Sequence, residues 1–96
     1  MYAHINIWRL NEQGSSTDDT AAREIGGQLS KHPGFHSYTV VRTADDEVVV
    51  VTIFDTRDEL ESGVTAIADF ARQRLAALQA APPQRRAGDV LYHTQA

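Results

Sequence analysis

Four residues with chemically useful side chains occupy every second position near the start of the chain: Tyr2, His4, Asn6 and Trp8. This spacing is the period of a β-strand, which places alternate side chains on one face of a sheet. On such a face His4 can act as a base near neutral pH. Asn6 can bind a substrate oxygen or a developing enolate, and Trp8 can stack on an aromatic substrate. We therefore predict His4, Asn6 and Trp8 as candidate catalytic residues.

The same positions fit a purely structural interpretation. Trp8 is the only tryptophan of the chain, and a tryptophan often packs in a core with its N–H bonded to an acceptor. His4 and Asn6 would then lie at a strand edge or an interface. A cavity beside these residues would favour catalysis, whereas side chains that fill the space would favour packing.

Two glycines within predicted helices indicate where a cavity could open. Gly26 and Gly63 each cost roughly 1 kcal/mol relative to alanine in a helix interior. Their missing side chains leave room for a ligand between helices and sheet, while a close helix approach or a kink explains them equally well. We expect a pocket lined by Gly26, Gly63, Phe54 at the end of the third strand, and His93 in the last strand.

Several other chemistries lack the residues they need. The chain has no cysteine, which excludes disulfides, thiolate metal sites and cysteine nucleophiles. His32 and His36 have the spacing of two metal ligands on one helical turn, but Pro33 and Gly34 lie between them and break a helix. The serines lack the flanking glycines of an esterase nucleophile. We expect neither a metal nor a cofactor.

The charge balance argues against nucleic acid as a partner. The 96 residues include 13 acidic and 9 basic side chains, for a net charge of -4 at pH 7, which is the wrong sign for a phosphate backbone. No window approaches the roughly 20 apolar residues of a membrane helix. We expect one globular domain over residues 1–96, in the cytoplasm and without a membrane partner.

The hydrophobic periodicity predicts the element order β-α-β-β-α-β. Strands are expected at residues 2–10, 35–42, 47–54 and 89–94. One helix is expected from the cap Thr17 to His32, after a polar turn at 11–16. The other begins at a capping box formed by Thr56 and Glu59 and ends before Pro82, and residues 84–88 are expected to form a loop.

This order is that of the ferredoxin-like α+β sandwich, in which both helices cover one face of a four-stranded antiparallel sheet with strand order 4-1-3-2. The strands are apolar on both faces, as the run Val48–Val51 illustrates. The face without helices therefore needs a cover, and no segment of the chain remains to provide one. We predict a homodimer in which a second copy packs sheet to sheet on this face.

The order of these motifs resembles the antibiotic biosynthesis monooxygenase-like domains of the dimeric α+β barrel superfamily, over nearly the whole chain. The features that carry the resemblance are the Trp8-Arg9-Leu10 end of strand one, the His32-Pro33-Gly34-Phe35 passage, the strand 49–54 followed directly by the capped helix start 55–60, and a short closing strand.

The resemblance implies a function. The family includes cofactor-independent monooxygenases that oxidise polycyclic phenols and quinols with dioxygen, haem-degrading enzymes, and domains without assigned activity. Phe54 replaces a tryptophan common in active members, and residues 60–64 lack their histidine. Trp8 occupies the position of the asparagine in haem-degrading relatives, so haem degradation is not expected. The resemblance implies cofactor-free oxidation, or another proton transfer, on a small aromatic or enolisable metabolite. The alternative is a non-catalytic ligand-binding or assembly domain with the same barrel.

Overall fold

The computed structural model describes residues 1–16 and 19–96, and its element order confirms the predicted β-α-β-β-α-β arrangement with one short additional helix. The elements are β1 (Tyr2–Arg9), α1 (Glu12–Ser15), α2 (Thr20–Leu29), β2 (Phe35–Ala44), β3 (Glu47–Phe54), α3 (Arg57–Leu75) and β4 (Gln84–Asp89). No helix in the described part of the chain is long and apolar enough to cross a membrane.

The four strands form one antiparallel sheet in the order β2-β3-β1-β4, which confirms the predicted strand order. β1 and β3 are central, and Tyr2 pairs with Phe54 while His4 pairs with Thr52. β4 lies beside β1 at one edge, where Asn6 pairs with Arg85. The opposite edge is β2.

α2 and α3 cover one face of the sheet. The buried core on this face consists of Ile25, Leu29, Phe54, Leu60 and Ile67. Aromatic side chains from the sheet pack around it, because alternate residues of each strand face the helices. The partly buried rings in this layer are those of Tyr2, Phe35, Tyr38 and Phe70.

The start of α3 is capped by Thr56 and lies against Gly34, in the turn before β2. The Thr56 hydroxyl accepts a hydrogen bond from the Glu59 backbone N–H at 3.1 Å and donates one to the Glu59 carboxylate at 3.0 Å. The carboxylate lies against Gly34, which has φ +80 and no space for a Cβ. Gly34 is therefore required by its left-handed backbone, whereas the Glu59 carboxylate is the end of a flexible side chain that can move.

The position of the last strand differs from the prediction. Residues 84–88 were expected to be a loop and 89–94 a strand, but β4 is Gln84–Asp89. The pairing with β1 decides this, because Tyr2, the first residue of β1, pairs with Asp89. Val90 adds one last hydrogen bond, from its N–H to the Met1 carbonyl at 3.0 Å. Residues beyond it extend past the end of β1 and have no strand to pair with.

The helix boundaries also differ in part. The expected polar turn at 11–16 contains α1, capped by the Asn11 side chain, which accepts from the Gly14 N–H at 2.8 Å. The proposed cap Thr17 lies outside the described residues. α3 ends at Leu75, well before the prolines. The Ala77 and Leu78 carbonyls instead accept from the side-chain and backbone N–H groups of Asn11, at 2.8 and 2.9 Å.

The sheet face opposite the helices is largely uncovered and apolar. It presents side chains of the opposite parity: Ala3, Ile5, Ile7, Val41, Val49, Val51 and Ile53. The last seven residues, 90–96, cover one end of it. Val90 is hydrogen-bonded to Met1. The segment then reaches β2, where the rings of His93 and His36 meet edge to face with centroids 5.0 Å apart. Ile53 at this end is only 9% exposed although it faces away from the helices.

Candidate functional site

A cleft opens between α3 and the β1–β4 edge of the sheet, with a volume of about 330 Å³. Tyr2 and His4 contribute from β1, and Arg85 and Ala87 from β4. Because residues four apart lie on one face of a helix, α3 supplies two such pairs: Leu60 with Val64 and Glu61 with Thr65. The helix wall of the cleft is therefore half apolar and half polar, and the sheet floor carries the polar side chains of Tyr2, His4 and Arg85.

His4 is the most deeply buried polar residue of this floor, with 9% exposure. It lies between Thr52 of β3 and Ala87 of β4 in the strand register. Burial lowers the pKa of His4, because it penalises the charged imidazolium, and the positive charge of Arg85 lowers it further. His4 is therefore a neutral imidazole at pH 7, able to accept a proton from a bound molecule.

Among the described residues, Arg85 is the one cation that lines the cleft, and it was not among the predicted site residues. It lies directly opposite Asn6 and diagonally opposite His4. Its guanidinium forms no ion pair or side-chain hydrogen bond with the residues that the structure describes. Five other arginines are held in ion pairs: Arg9, Arg23, Arg57, Arg72 and Arg74. Because residues 84–88 were expected to form a loop, no strand pairing placed Arg85 beside His4. Residues 84–89 show no alternation of apolar and polar side chains, so no local sequence signal indicated this strand.

The single carboxylate of the cleft is already paired. Glu61 accepts a hydrogen bond from the Arg57 guanidinium at 2.9 Å, across one turn of α3. The same guanidinium lies over the Tyr2 ring, 5.9 Å from its centroid. Glu61 therefore pairs with Arg57, and no ion pair with a described residue balances the positive charge of Arg85.

Asn6 and Trp8, the other predicted catalytic residues, do not line the cleft. Asn6 is the next helix-facing residue after His4, and its Oδ1 is buried without a hydrogen-bond donor among the described residues. Trp8 lies one step further along the strand, opposite Val48. The structure therefore brings His4 and Arg85 together, with Asn6 adjacent and Trp8 apart from them.

The predicted pocket-lining residues lie elsewhere. A Cβ on Gly26 would be 2.8 Å from the Tyr38 ring, and one on Gly63 would be 2.9 Å from the Phe54 ring. Aromatic side chains occupy the space that these glycines leave. Phe54 itself is fully buried in the core. Gly63 does line a second, smaller cleft of about 200 Å³ at the start of α3, beside His32.

His93 is outside the sheet, against His36 at the β2 edge. It was expected to lie in the last strand beside β1, but β4 ends before it. Within residues 1–16 and 19–96, no three histidine, aspartate or glutamate side chains converge as potential metal ligands.

Comparison of this chain with known proteins finds similarity in structure but not in sequence. No protein-family model matches it, and no curated protein matches by sequence. A candidate antibiotic biosynthesis monooxygenase from Nitrosomonas europaea superposes with a TM-score of 0.83 at 19% identity, covering 96% of this chain and 100% of the other. SnoaB, a cofactor-independent oxygenase from Streptomyces nogalater, gives 0.80 at 13% identity, covering 96% and 94%.

A third structure, Rv0793 from Mycobacterium tuberculosis, gives a TM-score of 0.80 at 17% identity and covers 98% of each chain. At such low identities the likeness concerns the fold alone. The resemblance inferred from the sequence is confirmed at that level: over nearly its whole length, the chain has the ferredoxin-like α+β fold of antibiotic biosynthesis monooxygenase-like proteins.

Proposed function

We propose that the protein is a cofactor-independent, monooxygenase-type enzyme that acts on a small aromatic or enolisable metabolite in the cleft between α3 and β4. One observation carries the proposal: the buried, neutral imidazole of His4 on the floor of a cleft beside the apolar side chains of Leu60 and Val64. A base of this kind is suited to removing a weakly acidic proton from a bound ring or an activated carbon. SnoaB, which shares the fold, is described as a cofactor-independent oxygenase.

In the proposed reaction, His4 takes a proton from an activated CH₂ group of the substrate. The Arg85 guanidinium stabilises the anion that remains. The anion passes electrons to dioxygen, a C–O bond forms, and the proton held by His4 passes to the resulting peroxide. Loss of the second C–H proton then breaks the O–O bond. One oxygen stays as a ketone and the other leaves as water, so R₂CH₂ and O₂ give R₂CO and H₂O.

The test is oxygen consumption with a panel of anthrones and quinols, compared between the wild type and His4→Gln. We expect consumption of one O₂ per ketone with anthrones, and a rate about 10² to 10⁴ times lower in His4→Gln, the usual contribution of a general base. His36→Gln is the matched control, because His36 lies at the far edge of the sheet. Absence of turnover with every panel member would contradict the proposal.

A second candidate function is a non-catalytic ligand-binding or assembly domain. The uncovered apolar face of the sheet favours it, with Val41 46% exposed. In this case panel compounds would bind in the cleft without turnover, and the His4→Gln substitution would change affinity only. The oxygen measurement therefore separates the two functions.

A further inference from the structure

We propose that the cleft selects substrates that carry a carboxylate beside the group that loses its proton, and that Arg85 is the residue that selects them. The ligand class is that of small hydroxyaromatic or enolisable carboxylic acids. The inference rests on the proposed function for the role of His4 and deepens the role of Arg85, which there stabilises the substrate anion and here recognises a carboxylate.

The first support is the state of the charges around the cleft. Glu61 is engaged by Arg57 at 2.9 Å, and His4 is neutral, so neither balances Arg85. Five arginines elsewhere have carboxylate partners, and the guanidinium groups of Arg42 and Arg86 donate to backbone carbonyls. The exposed Arg85 lines the cleft with neither kind of partner among the described residues. A guanidinium without a carboxylate partner can bind an oxyanion, because it can hold a carboxylate through two parallel hydrogen bonds.

The second support is the strand register. Arg85 is directly opposite Asn6 and diagonal to His4, and side chains in these relations lie about 5 and 7–8 Å apart at their β-carbons. A carboxylate on Arg85 thus places the adjoining atoms of the same molecule near the His4 imidazole. The separation suits an acidic O–H or C–H one or two bonds away from the carboxylate.

The third support is the size of the cleft. The volume of about 330 Å³ is at the small end of the range for ligand pockets, so one or two rings fit.

The test compares three probes that share one naphthol ring system: 1-hydroxy-2-naphthoate, its methyl ester and 1-naphthol. Binding is measured by titration calorimetry, without oxygen consumption as a readout. We expect the acid to bind the wild type at least tenfold more tightly than either neutral probe. In Arg85→Gln we expect this preference to fall below twofold, while Arg85→Lys keeps part of it.

Arg86→Gln is the matched control. Arg86 is the next residue, has the opposite parity in β4, and is exposed, so its loss removes one positive charge without touching the cleft. We expect Arg86→Gln to retain the preference for the acid. Equal binding of acid and ester by the wild type would overturn the proposal, and so would a preference that survives Arg85→Gln or disappears equally in Arg86→Gln.

The two proposals fail in different ways. If the acid binds through Arg85 but His4→Gln leaves oxygen consumption unchanged, the anion site stands and the proposed catalytic role of His4 is wrong. If turnover depends on His4 while acid and ester bind equally, the reverse holds.

Discussion

At the scale of single residues, the surroundings of His4 keep its imidazole neutral at pH 7. Fully in water its pKa would be about 6.5, and its position between β3 and β4 lowers that value through burial and through Arg85. The charged or titratable groups that face it are Arg85 from β4, Glu61 from α3, and its strand neighbour Tyr2. Thr52 from β3 is neutral. None of these can stabilise the imidazolium as well as water does, because Glu61 is paired with Arg57.

The lowered pKa of His4 predicts how the free energy of unfolding depends on pH. Because the pKa of His4 is lowered in the folded protein, the unfolded chain binds this proton first as the pH falls. The contribution of neutral His4 is fully present above pH 6.5 and is lost as the pH falls from 6.5 through the folded pKa. We expect urea unfolding to show less stability at pH 5.5 than at pH 7.5, with a smaller difference in His4→Gln. An identical pH dependence in the two proteins would contradict the lowered pKa.

At the scale of elements, the positions where helices approach the sheet are decided by aromatic rings. Gly63 in α3 lies directly over the Phe54 ring, and Gly26 in α2 over the Tyr38 ring. Phe54 is fully buried and cannot move aside easily. Burial also raises the pKa of Tyr38 to about 12, which keeps its phenol neutral. These glycines therefore bring helix and sheet together, although Gly63 also lines the smaller cleft beside His32.

A pair of alanine substitutions tests this packing. Gly63→Ala places a methyl group 2.9 Å from the Phe54 ring, and overpacking of this kind lowers the free energy of unfolding by about 1–3 kcal/mol. Gly27→Ala is the control, because nothing lies within 4 Å of its Cβ position. In α2 it should raise the free energy of unfolding by about 0.5–1 kcal/mol, the helix propensity gain. Denaturant titration measures both changes, and a stabilising Gly63→Ala would refute the assignment.

At the scale of the whole molecule, the sheet has two faces and the helices cover only one. The segment 90–96 reaches one end of the second face, where the His93 ring meets that of His36. Leu91 in this segment is 97% exposed and Tyr92 82% exposed. We propose that a second copy of the chain covers the remainder, because burying exposed apolar side chains of both copies stabilises such an association.

Light scattering tests this proposal. We expect a mass twice the 10.6 kDa of the chain at micromolar concentration. Val41→Lys, on the uncovered face, should convert this species to monomer. Val40→Lys is the control on the neighbouring residue: it is 37% exposed and has the opposite parity, so it should leave the mass unchanged. A wild-type protein that is monomeric at micromolar concentration would rule the dimer out.

The element order and strand order followed from local signals. The alternation in residues 2–10, the apolar run of β3 and the cap Thr56 lie close together in the sequence and act over short distances. The order β-α-β-β-α-β then leaves few ways to arrange four strands and two covering helices. For this reason β1, β3 and the start of α3 were predicted to within one residue.

What the sequence determined by itself was the fold and the face of β1 that carries His4, because both depend on periodicity and caps within single segments. The tertiary structure alone decided the composition of the cleft. Arg85 lies beside His4 only because Tyr2 pairs with Asp89, a contact between residues at opposite ends of the chain. The surroundings of Gly26 and Gly63 were likewise decided by the tertiary structure. Whether a glycine leaves a cavity or allows a close contact depends on the side chain that packs against it, here an aromatic ring in each case.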